Sequence, residues 1–252
     1  MNAIDTTAAP RRFALIGHGR IGAPVVQAWR DGALEGWTLA AVLVRQAPVH
    51  AEPWITTNID VFLASAPDLI VEAAGPAALA AHAVAALAAA DLWTVSAAAL
   101  ADTELAARIA QQARLHGHRL RVLAGAIAGL DGVAMSSVDP DVALDLEIEL
   151  PPDAAQPAGE RFRGSVRDAA ALFPNSVNVA AAAALAGPGL DATRIRVSHP
   201  GEVARNRLAL TAESRFGTVR AETLPRVGPG IHPVAASIIA ALRQQLRTIW
   251  VG

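Results

Sequence analysis

The chain has 252 residues, a formal net charge of -2 at pH 7 and no cysteine. The small net charge gives no reason to expect nucleic acid or a membrane surface as a partner. The absence of cysteine excludes disulfides, thiolate nucleophiles and cysteine-based metal sites, and we predict no metal site of another kind. The one long apolar stretch, residues 73–101, contains Gly75, Pro76, His82 and Asp91, which argues against a membrane-spanning helix. We therefore expect a cytoplasmic protein with one large domain or two modest ones.

A glycine-rich turn near the N-terminus is the strongest local signal. The apolar run Phe13–Ile16 reads as a buried strand, and a helix-like segment begins near Ala23. Between them lie Gly17, His18, Gly19, Arg20, Ile21 and Gly22. In a dinucleotide-binding unit the first glycine permits the tight turn, the second lets the backbone approach a pyrophosphate, and the third lets the helix pack closely. We predict that all six residues contact a cofactor; the alternative is a strand–helix corner without a ligand.

The residues after the next strand bear on which dinucleotide binds. Residues 37–44 read as that strand, and it is followed by Arg45 and Gln46 rather than by an acidic residue. An acidic residue there would accept hydrogen bonds from the adenosine ribose. Arg45 is able to pair with a 2′-phosphate or stack on adenine, or it is simply a solvated strand-end arginine. NAD and NADP both stay open, with a slight lean towards tolerance of NADP.

Strands and helices alternate through the first half of the chain. We predict helices over residues 60–66, 77–90 and 98–115, and strands over 68–74, 92–96 and 120–124. This alternation indicates right-handed βαβ units and a doubly wound parallel sheet of the Rossmann type, in the α/β class. Because ligands bind beyond the carboxyl ends of such strands, Gly75, Ser96 and Gly125 are expected on the same rim as the glycine turn. We predict that Gly75 contacts the cofactor.

The pattern changes after residue 125. We predict strands over 142–150, 162–166, 193–197, 206–212 and 218–223, and helices over 166–172, 179–186 and 235–250. Polar residues alternate with apolar ones in the strands, which favours an antiparallel or mixed sheet covered on one face by helices. This indicates a second, α+β region and a closing C-terminal helix.

Several motifs, in this order along the chain, resemble those of the aspartate dehydrogenase family. They are Ile16–Gly22, Asp68–Gly75, Val95–Asp102, Ala124–Asp131, Phe173–Ala180 and Arg215–Gly217. The resemblance implies oxidation of L-aspartate to iminosuccinate with NAD or NADP, or the reverse reaction, by a homodimer. It also implies a dinucleotide-binding Rossmann domain over residues 1–124, a substrate and dimerisation domain over 125–234, and a C-terminal helix over 235–252 that packs back on the Rossmann domain.

The resemblance places further cofactor contacts at Ala126 and Asn178. Small residues at Gly125 and Ala126 would let a nicotinamide ring lie close to the backbone. The Asn178 amide both donates and accepts hydrogen bonds, which suits a carboxamide or a ribose. The alternative for Asn178 is a polar cap on the helix that starts at Val179.

Three departures from the family fall on its substrate side. Leu208 stands where the family has an essential histidine, two residues after Asn206, and leucine cannot accept a proton. Residues 149–152 (Glu-Leu-Pro-Pro) replace the family's Thr-Arg-Lys-Pro, and residues 228–232 (Gly-Pro-Gly-Ile-His) replace its Asn-Pro-Lys-Thr-Ser. Two cationic elements that would hold a dicarboxylate are therefore missing. We expect a less acidic amine, imine, aldehyde or ketone as the substrate.

Two histidines are candidates for the replacement acid or base. His232 precedes the closing helix, and His199 precedes Pro200; for each, the alternative is a hydrogen-bonded surface or capping residue. Three functions follow as hypotheses. The first is an NAD(P)-dependent oxidoreductase acting on a small molecule other than aspartate. The others are a non-catalytic NAD(P)-binding sensor or scaffold, and an active L-aspartate dehydrogenase that uses a relocated histidine.

Overall fold

The computed structural model describes residues 9–150, 158–199, 207–226 and 230–249. The chain divides into two compact units. Unit 1 contains residues 1–96, 102–123 and 234–252, and unit 2 contains residues 97–101 and 124–233. Some positions named in the sequence predictions lie outside the described residues: Pro151, Pro152, Pro200, Asn206, Gly228, Pro229 and Trp250.

Unit 1 is built on a parallel sheet of six strands. The strands are β1 (Arg11–Ile16), β2 (Trp37–Leu43), β3 (Ile55–Thr56), β4 (Leu69–Glu72), β5 (Asp91–Thr94) and β6 (Leu120–Val122). Their order is β3-β2-β1-β4-β5-β6, and every neighbouring pair is parallel. This confirms the predicted doubly wound sheet of the Rossmann type. The strand order reverses between β1 and β4, the point at which such sheets bind dinucleotides.

Four helices connect these strands: α1 (Gly22–Arg30), α2 (Ile59–Ala64), α3 (Pro76–Ala89) and α4 (Thr103–His116). The single helix predicted over residues 98–115 was wrong. Residues Ala97–Ala101 form a 3-10 turn that belongs to unit 2, and α4 begins only after Asp102. The Asp102 side chain accepts hydrogen bonds from the N–H groups of Glu104 and Leu105, so it caps a new helix. The short strand β3 was not predicted.

Unit 2 is built on a mixed sheet of five strands. They are β7 (Ala143–Glu149), β8 (Gly159–Ser165), β9 (Arg194–His199), β10 (Arg207–Ser214) and β11 (Gly217–Thr223), in the order β11-β10-β7-β9-β8. Strands β7 and β9 are parallel, and the other neighbours are antiparallel, as the alternating pattern predicted. Every second residue of β7 is buried, which gives the sheet one apolar face.

Three helices belong to unit 2: α5 (Leu130–Ser136), α6 (Val166–Leu172) and α7 (Asn178–Ala186). Helix α5 packs against β10 and β11, and α6 packs against β8 and β9. The glycine before α5 explains the close approach, because a Cβ on Gly129 would lie 2.9 Å from the Ala221 Cβ atom. Within the part of the chain that the structure describes, no helix has the length and apolar character needed to cross a bilayer.

The last helix, α8 (Pro233–Gln245), is shorter than the predicted 235–250 and joins the core of unit 1 from Val234 onwards. Its buried residues Ile238 and Leu242 lie in one apolar cluster with Phe13 of β1. The Trp37 indole N–H of β2 donates a hydrogen bond of 2.9 Å to the carbonyl oxygen of Leu242. This buried bond ties the final helix to the second strand, across 205 residues of chain.

Substitution Trp37→Phe is expected to lower the free energy of unfolding by about 1–3 kcal/mol, because it leaves the buried Leu242 carbonyl without its donor. Urea denaturation measures this change. Trp29→Phe is the matched control, since the Trp29 indole packs against the same cluster but makes no hydrogen bond within the described residues. An equal loss in both variants would show that ring size, rather than the hydrogen bond, sets the effect.

Candidate cofactor and substrate sites

The glycine turn of unit 1 contacts the end of β2 and the segment that follows β4. The Gly17 N–H donates to the carbonyl of Leu43 at 2.8 Å, and Gly17 has a φ of +102°. A Cβ on Gly17 would lie 2.8 Å from the Ala74 Cβ, and a Cβ on Gly22 would lie 2.1 Å from the Gly17 carbonyl oxygen. Protein atoms therefore require glycine at both positions.

Gly19 is different, because a Cβ added there would meet no described atom within 4 Å. The protein fold therefore does not require a glycine at this position, whereas a ligand lying against the backbone would. Among the described residues, the first turn of α1 carries no acidic side chain and its N-cap, Ile21, makes no side-chain capping bond. The positive end of the helix dipole is thus left for an anion. These features fit a dinucleotide pyrophosphate.

The polar residues of the turn face solvent. His18 is exposed and meets Trp54 edge-on, with ring centroids 5.8 Å apart. Partial burial and then the positive charge of Arg30 lower the pKa of His18, so that its imidazole is neutral at pH 7. Arg20 is also exposed and has no hydrogen-bond or ion-pair partner in the described part of the chain. Among the described residues, His18 is thus held only by its ring contact with Trp54, and no polar contact fixes Arg20.

Arg45 lies two residues beyond the end of β2, and the Gly17–Leu43 hydrogen bond brings that strand end to the glycine turn. Its side chain is exposed and forms no ion pair with any described residue. The nearby Arg30, in contrast, is paired with Glu52 at 2.5 Å. Arg45 is thus a cation without an ion-pair partner in the described part of the chain, at the strand end where dinucleotides place their adenosine ribose.

A buried carboxylate, which the sequence analysis did not single out, lies at the end of β4. Glu72 is fully buried, and its Oε1 accepts hydrogen bonds from the N–H groups of Ala74 (2.7 Å) and Gly75 (2.8 Å). The Thr94 hydroxyl lies 2.5 Å from Oε2 and accepts a bond from the Ser96 N–H. Burial raises the pKa of Glu72, and the hydrogen bonds from Thr94, Ser96 and the two backbone N–H groups oppose that rise.

This network shapes the rim on which Gly75 was predicted to contact the cofactor. Gly75 is the N-cap of α3 and has a φ of +107°, a conformation that favours glycine. The Cβ atom of Ala74 packs against Gly17, so the same short segment supports the glycine turn. The sequence does contain a signal for this buried carboxylate, because Glu72 is the one charged residue in the otherwise apolar strand Leu69–Glu72.

In unit 2, Asn178 is the first residue of α7 rather than its cap, which is Val177. The Asn178 side-chain oxygen accepts a hydrogen bond of 3.0 Å from the Ala98 N–H, within the 3-10 turn of residues 97–101. Its NH2 group remains a donor for another partner. Ala126, the other predicted contact in this unit, follows Gly125, which has a φ of +67° in a turn beyond β6. The structure therefore gives Asn178 a local role that was not predicted.

Leu208 lies on the apolar, helix-covered face of the second sheet. It pairs with Ile148 of β7, which in turn pairs with Val197 of β9, and all three side chains are buried. A row of three aliphatic side chains therefore occupies the level at which the family's histidine was expected. No group in this row is able to take up a proton.

His199, one of the two predicted acid–base candidates, is on the same face. It follows the buried residues Ile195 and Val197 at every second position of β9, and only 6 % of it is exposed. Its Nδ1 is buried and has no hydrogen-bond partner among the described residues. A buried, unsatisfied ring nitrogen costs stability and is uncommon unless it serves a function. The other candidate, His232, is half-buried directly before Pro233.

The arginines of unit 2 are largely engaged with carboxylates of their own unit. Those in ion pairs are Arg163, Arg167, Arg194, Arg196, Arg207 and Arg215. Arg207 contacts Glu147, Glu149 and Glu222, and these hydrogen bonds and charges raise its pKa further. The chain contains no lysine. In the described part of unit 2, then, most cations are already neutralised by protein acids.

Comparison with known families gives a match to each part of the chain. Residues 17–123 match the family described as homoserine dehydrogenase, NAD binding domain. Residues 120–245 match the family described as aspartate dehydrogenase, C-terminal. The first match contains the glycine turn and Glu72, and the second contains Asn178, His199 and Leu208.

Relatives named as L-aspartate dehydrogenases match nearly the whole chain. L-aspartate dehydrogenase 2 of Bordetella pertussis is 34% identical over 265 residues, which is 96% of this chain and 99% of the relative. L-aspartate dehydrogenase of Ruegeria pomeroyi is 36% identical over 263 residues, covering 93% of this chain and 92% of the relative. The crystal structure of aspartate dehydrogenase from Thermotoga maritima has the same fold, with a TM-score of 0.75 at 21% identity over 96% of this chain and 99% of that one. The chain therefore belongs to the aspartate dehydrogenase family and is an NAD(P)-dependent oxidoreductase of the type that acts on CH–NH2 groups.

Proposed function

We propose that this protein transfers hydride between NAD(P) and the amine, imine or carbonyl carbon of a substrate other than L-aspartate. The observation that carries the proposal is the burial of Leu208 in an aliphatic row at the position of the family's histidine. The proposal includes the predicted cofactor contacts: the turn from Gly17 to Gly22, Arg45, Gly75, Ala126 and Asn178. It also includes the homodimer and the assignment of residues 125–234 to substrate binding and dimerisation, which the family resemblance implies.

The charges of unit 2 argue against a dicarboxylate. Each carboxylate bound in a closed site needs a cation or several hydrogen bonds, and one left unpaired costs several kcal/mol, of the order of 2–5. The family's lysines have no counterpart, because the chain contains no lysine. The arginines in ion pairs would have to give up a carboxylate partner before they could hold the substrate. A substrate with at most one negative charge fits this environment better.

The reaction also needs a group that exchanges a proton with the substrate nitrogen or oxygen. The bound nicotinamide supplies the hydride acceptor or donor. With no lysine, tyrosine or cysteine in the chain, histidine and the carboxylates are the side chains suited to the proton transfer at neutral pH. His199 is the first candidate because its buried Nδ1 has no partner among the described residues, and His232 is the second. In the oxidative direction, the base would take the N–H or O–H proton as the C–H bond gives up its hydride.

A non-catalytic NAD(P)-binding sensor or scaffold is the alternative that Leu208 also favours. It shares the cofactor site and differs only in having no turnover. An L-aspartate dehydrogenase that uses a relocated histidine is the third possibility. Turnover of a substrate panel separates the three.

The purified protein is expected to oxidise NADH or NADPH with ammonia and at least one monocarboxylic oxo-acid, aldehyde or ketone, and faster than with oxaloacetate. Absorbance at the nicotinamide band measures the rate, and thermal shift measures cofactor binding. Cofactor binding without turnover of any compound would support the sensor. Oxaloacetate as the best substrate would overturn the proposal in favour of a relocated histidine.

Within this panel, His199→Gln is expected to lower kcat for the best substrate by about 100-fold or more, the usual size of a lost general acid–base group. The dissociation constant for the cofactor should not change. His116→Gln is the matched control, because His116 is exposed at the end of α4 in the other unit. If His199→Gln keeps its activity and His232→Gln loses it, the roles of the two candidates are exchanged.

Substitution Arg45→Ala is expected to weaken NADPH binding by about ten-fold, the scale of one exposed charge-assisted contact to a phosphate, and to leave NADH binding within two-fold. Fluorescence titration with both reduced cofactors measures the two constants. Arg20→Ala, in the glycine turn, tests whether the effect belongs to Arg45. Equal weakening of NADH and NADPH by Arg45→Ala would assign that arginine to adenine stacking.

Substitution Gly19→Ala is expected to leave the free energy of unfolding within about 0.5 kcal/mol of the wild type, because the added methyl group meets no described atom. The same methyl group would occupy the space of a pyrophosphate, so cofactor binding should weaken by at least ten-fold. Urea denaturation and calorimetric titration measure the two effects. Full cofactor affinity in Gly19→Ala would place the dinucleotide away from the turn.

A further inference from the structure

The buried Glu72 network takes no part in the proposed transfer of hydride and proton, yet it joins β4 and β5 beside the point at which the strand order reverses. Glu72 ends β4 and Thr94 ends β5, and the two residues pair in register. On its other side, Glu72 pairs with Ile16, the residue before the glycine turn. The carboxylate therefore lies beneath the carboxyl edge of the sheet, in the half formed by β4, β5 and β6.

The hydrogen bonds around Glu72 suit an ionised carboxylate. Both backbone donors to Oε1, from Ala74 and Gly75, are N–H groups that cannot accept a bond in return. The Thr94 hydroxyl already accepts the Ser96 N–H, which leaves its own proton free to point at Oε2. Its distance of 2.5 Å is typical of a hydroxyl bonded to a charged oxygen. Burial raises the pKa of Glu72, and these donors are the interactions that hold the negative charge against it.

A negative charge in this half of the sheet has a consequence for a dinucleotide. In doubly wound sheets, the half that contains β1 to β3 receives the adenosine and the other half receives the second nucleotide. The nicotinamide ring carries a positive charge when oxidised and none when reduced. A buried anion is weakly screened, so it distinguishes the two forms by their charge.

We propose that Glu72 is a positioning residue that sets the redox preference of the cofactor site: its buried carboxylate fixes the Ala74–Gly75 rim and favours oxidised over reduced dinucleotide. This inference rests on the proposed placement of the cofactor along the glycine turn and Gly75. It adds a residue to which the family resemblance assigned no role. It also predicts a thermodynamic property, the ratio of two dissociation constants, that is measured without turnover.

Substitution Glu72→Gln tests the proposal, because the amide keeps the shape of the side chain and one oxygen for the two N–H donors while removing the charge. Calorimetric titration should show NAD+ or NADP+ bound about ten-fold more weakly than by the wild type, with the reduced form changed by no more than about two-fold, as expected for one buried charge acting on one nearby charge. A role confined to packing would weaken both forms alike, or only lower the stability.

Asp68→Asn is the matched control, since Asp68 stands directly before the same strand at its opposite end and its exposed carboxylate accepts the Arg12 N–H. It should leave the ratio of the two constants unchanged. Thr94→Val is the second variant, in case Glu72→Gln fails to fold. Thr94→Val keeps the Glu72 carboxylate but removes one of its hydrogen-bond donors, and it should reduce the preference for the oxidised form by about three-fold. Thr94→Ser keeps the hydroxyl donor and should bind the two forms with the wild-type ratio of constants.

The outcomes separate this inference from the proposed function. A wild-type protein that binds neither form of NAD nor of NADP would overturn the proposed cofactor site itself. A wild type that binds dinucleotide, with an unchanged ratio of constants in Glu72→Gln, or in Thr94→Val if the first variant is unfolded, would overturn the role of Glu72 alone. A shifted ratio in Asp68→Asn of the same size would show that net charge, rather than the buried carboxylate, is responsible.

Discussion

The close contact between the glycine turn and the segment after β4 is the constraint on which the first unit depends. Gly17 lies against Ala74, and Gly22 lies against the carbonyl of Gly17, with no room for a Cβ at either position. These contacts fix where α1 starts and where its N-terminus points. Gly19 is different, because a Cβ added there would meet no described atom within 4 Å, so the proposed cofactor contact, and not protein packing, offers a reason for glycine at this position.

Hydrogen bonds from Ala74 and Gly75 to Glu72 fix the same segment after β4. The Glu72 carboxylate accepts the N–H groups of Ala74 and Gly75, which is why the chain can turn sharply there before α3 begins. A buried carboxylate is expensive unless its hydrogen-bonding capacity is filled, and here both oxygens have partners. The turn after β1 and the turn after β4 therefore contact each other through Gly17 and Ala74.

The fold was largely predictable because its signals are local. Apolar runs separated by amphipathic or alanine-rich segments identify a parallel sheet, and alternation along β7 identifies a sheet with one wet face. The prediction of one helix over residues 98–115 failed because alanine favours a helix on both sides of Asp102, and only the capping bonds of that residue reveal the break. Strand β3 has two residues, too few to carry a period.

The site was predictable only in part. The glycine turn is contiguous, so its role follows from residues that are neighbours in sequence. Glu72 and His199 acquire their properties from burial in the folded chain. The Glu72 carboxylate accepts hydrogen bonds at both oxygens, and the His199 Nδ1 has no hydrogen-bond partner among the described residues. Neither property can be derived from residue type and spacing, because it depends on what packs against the side chain after folding.

The contrast between the two units bears on how specificity changes within a family. A dinucleotide presents the same phosphates and rings to every member of the family. The turn proposed to receive it has little freedom to vary, because a Cβ added at Gly22 would lie 2.1 Å from the Gly17 carbonyl oxygen. A substrate is recognised by fewer and more separate charges. Under the proposed function, leucine at position 208 and the absence of lysine remove such charges without disturbing the sheet, since Leu208 is buried in an aliphatic row and the arginines are paired with acids of their own unit. In that proposal, the hydride chemistry is kept while the substrate that exchanges the hydride changes.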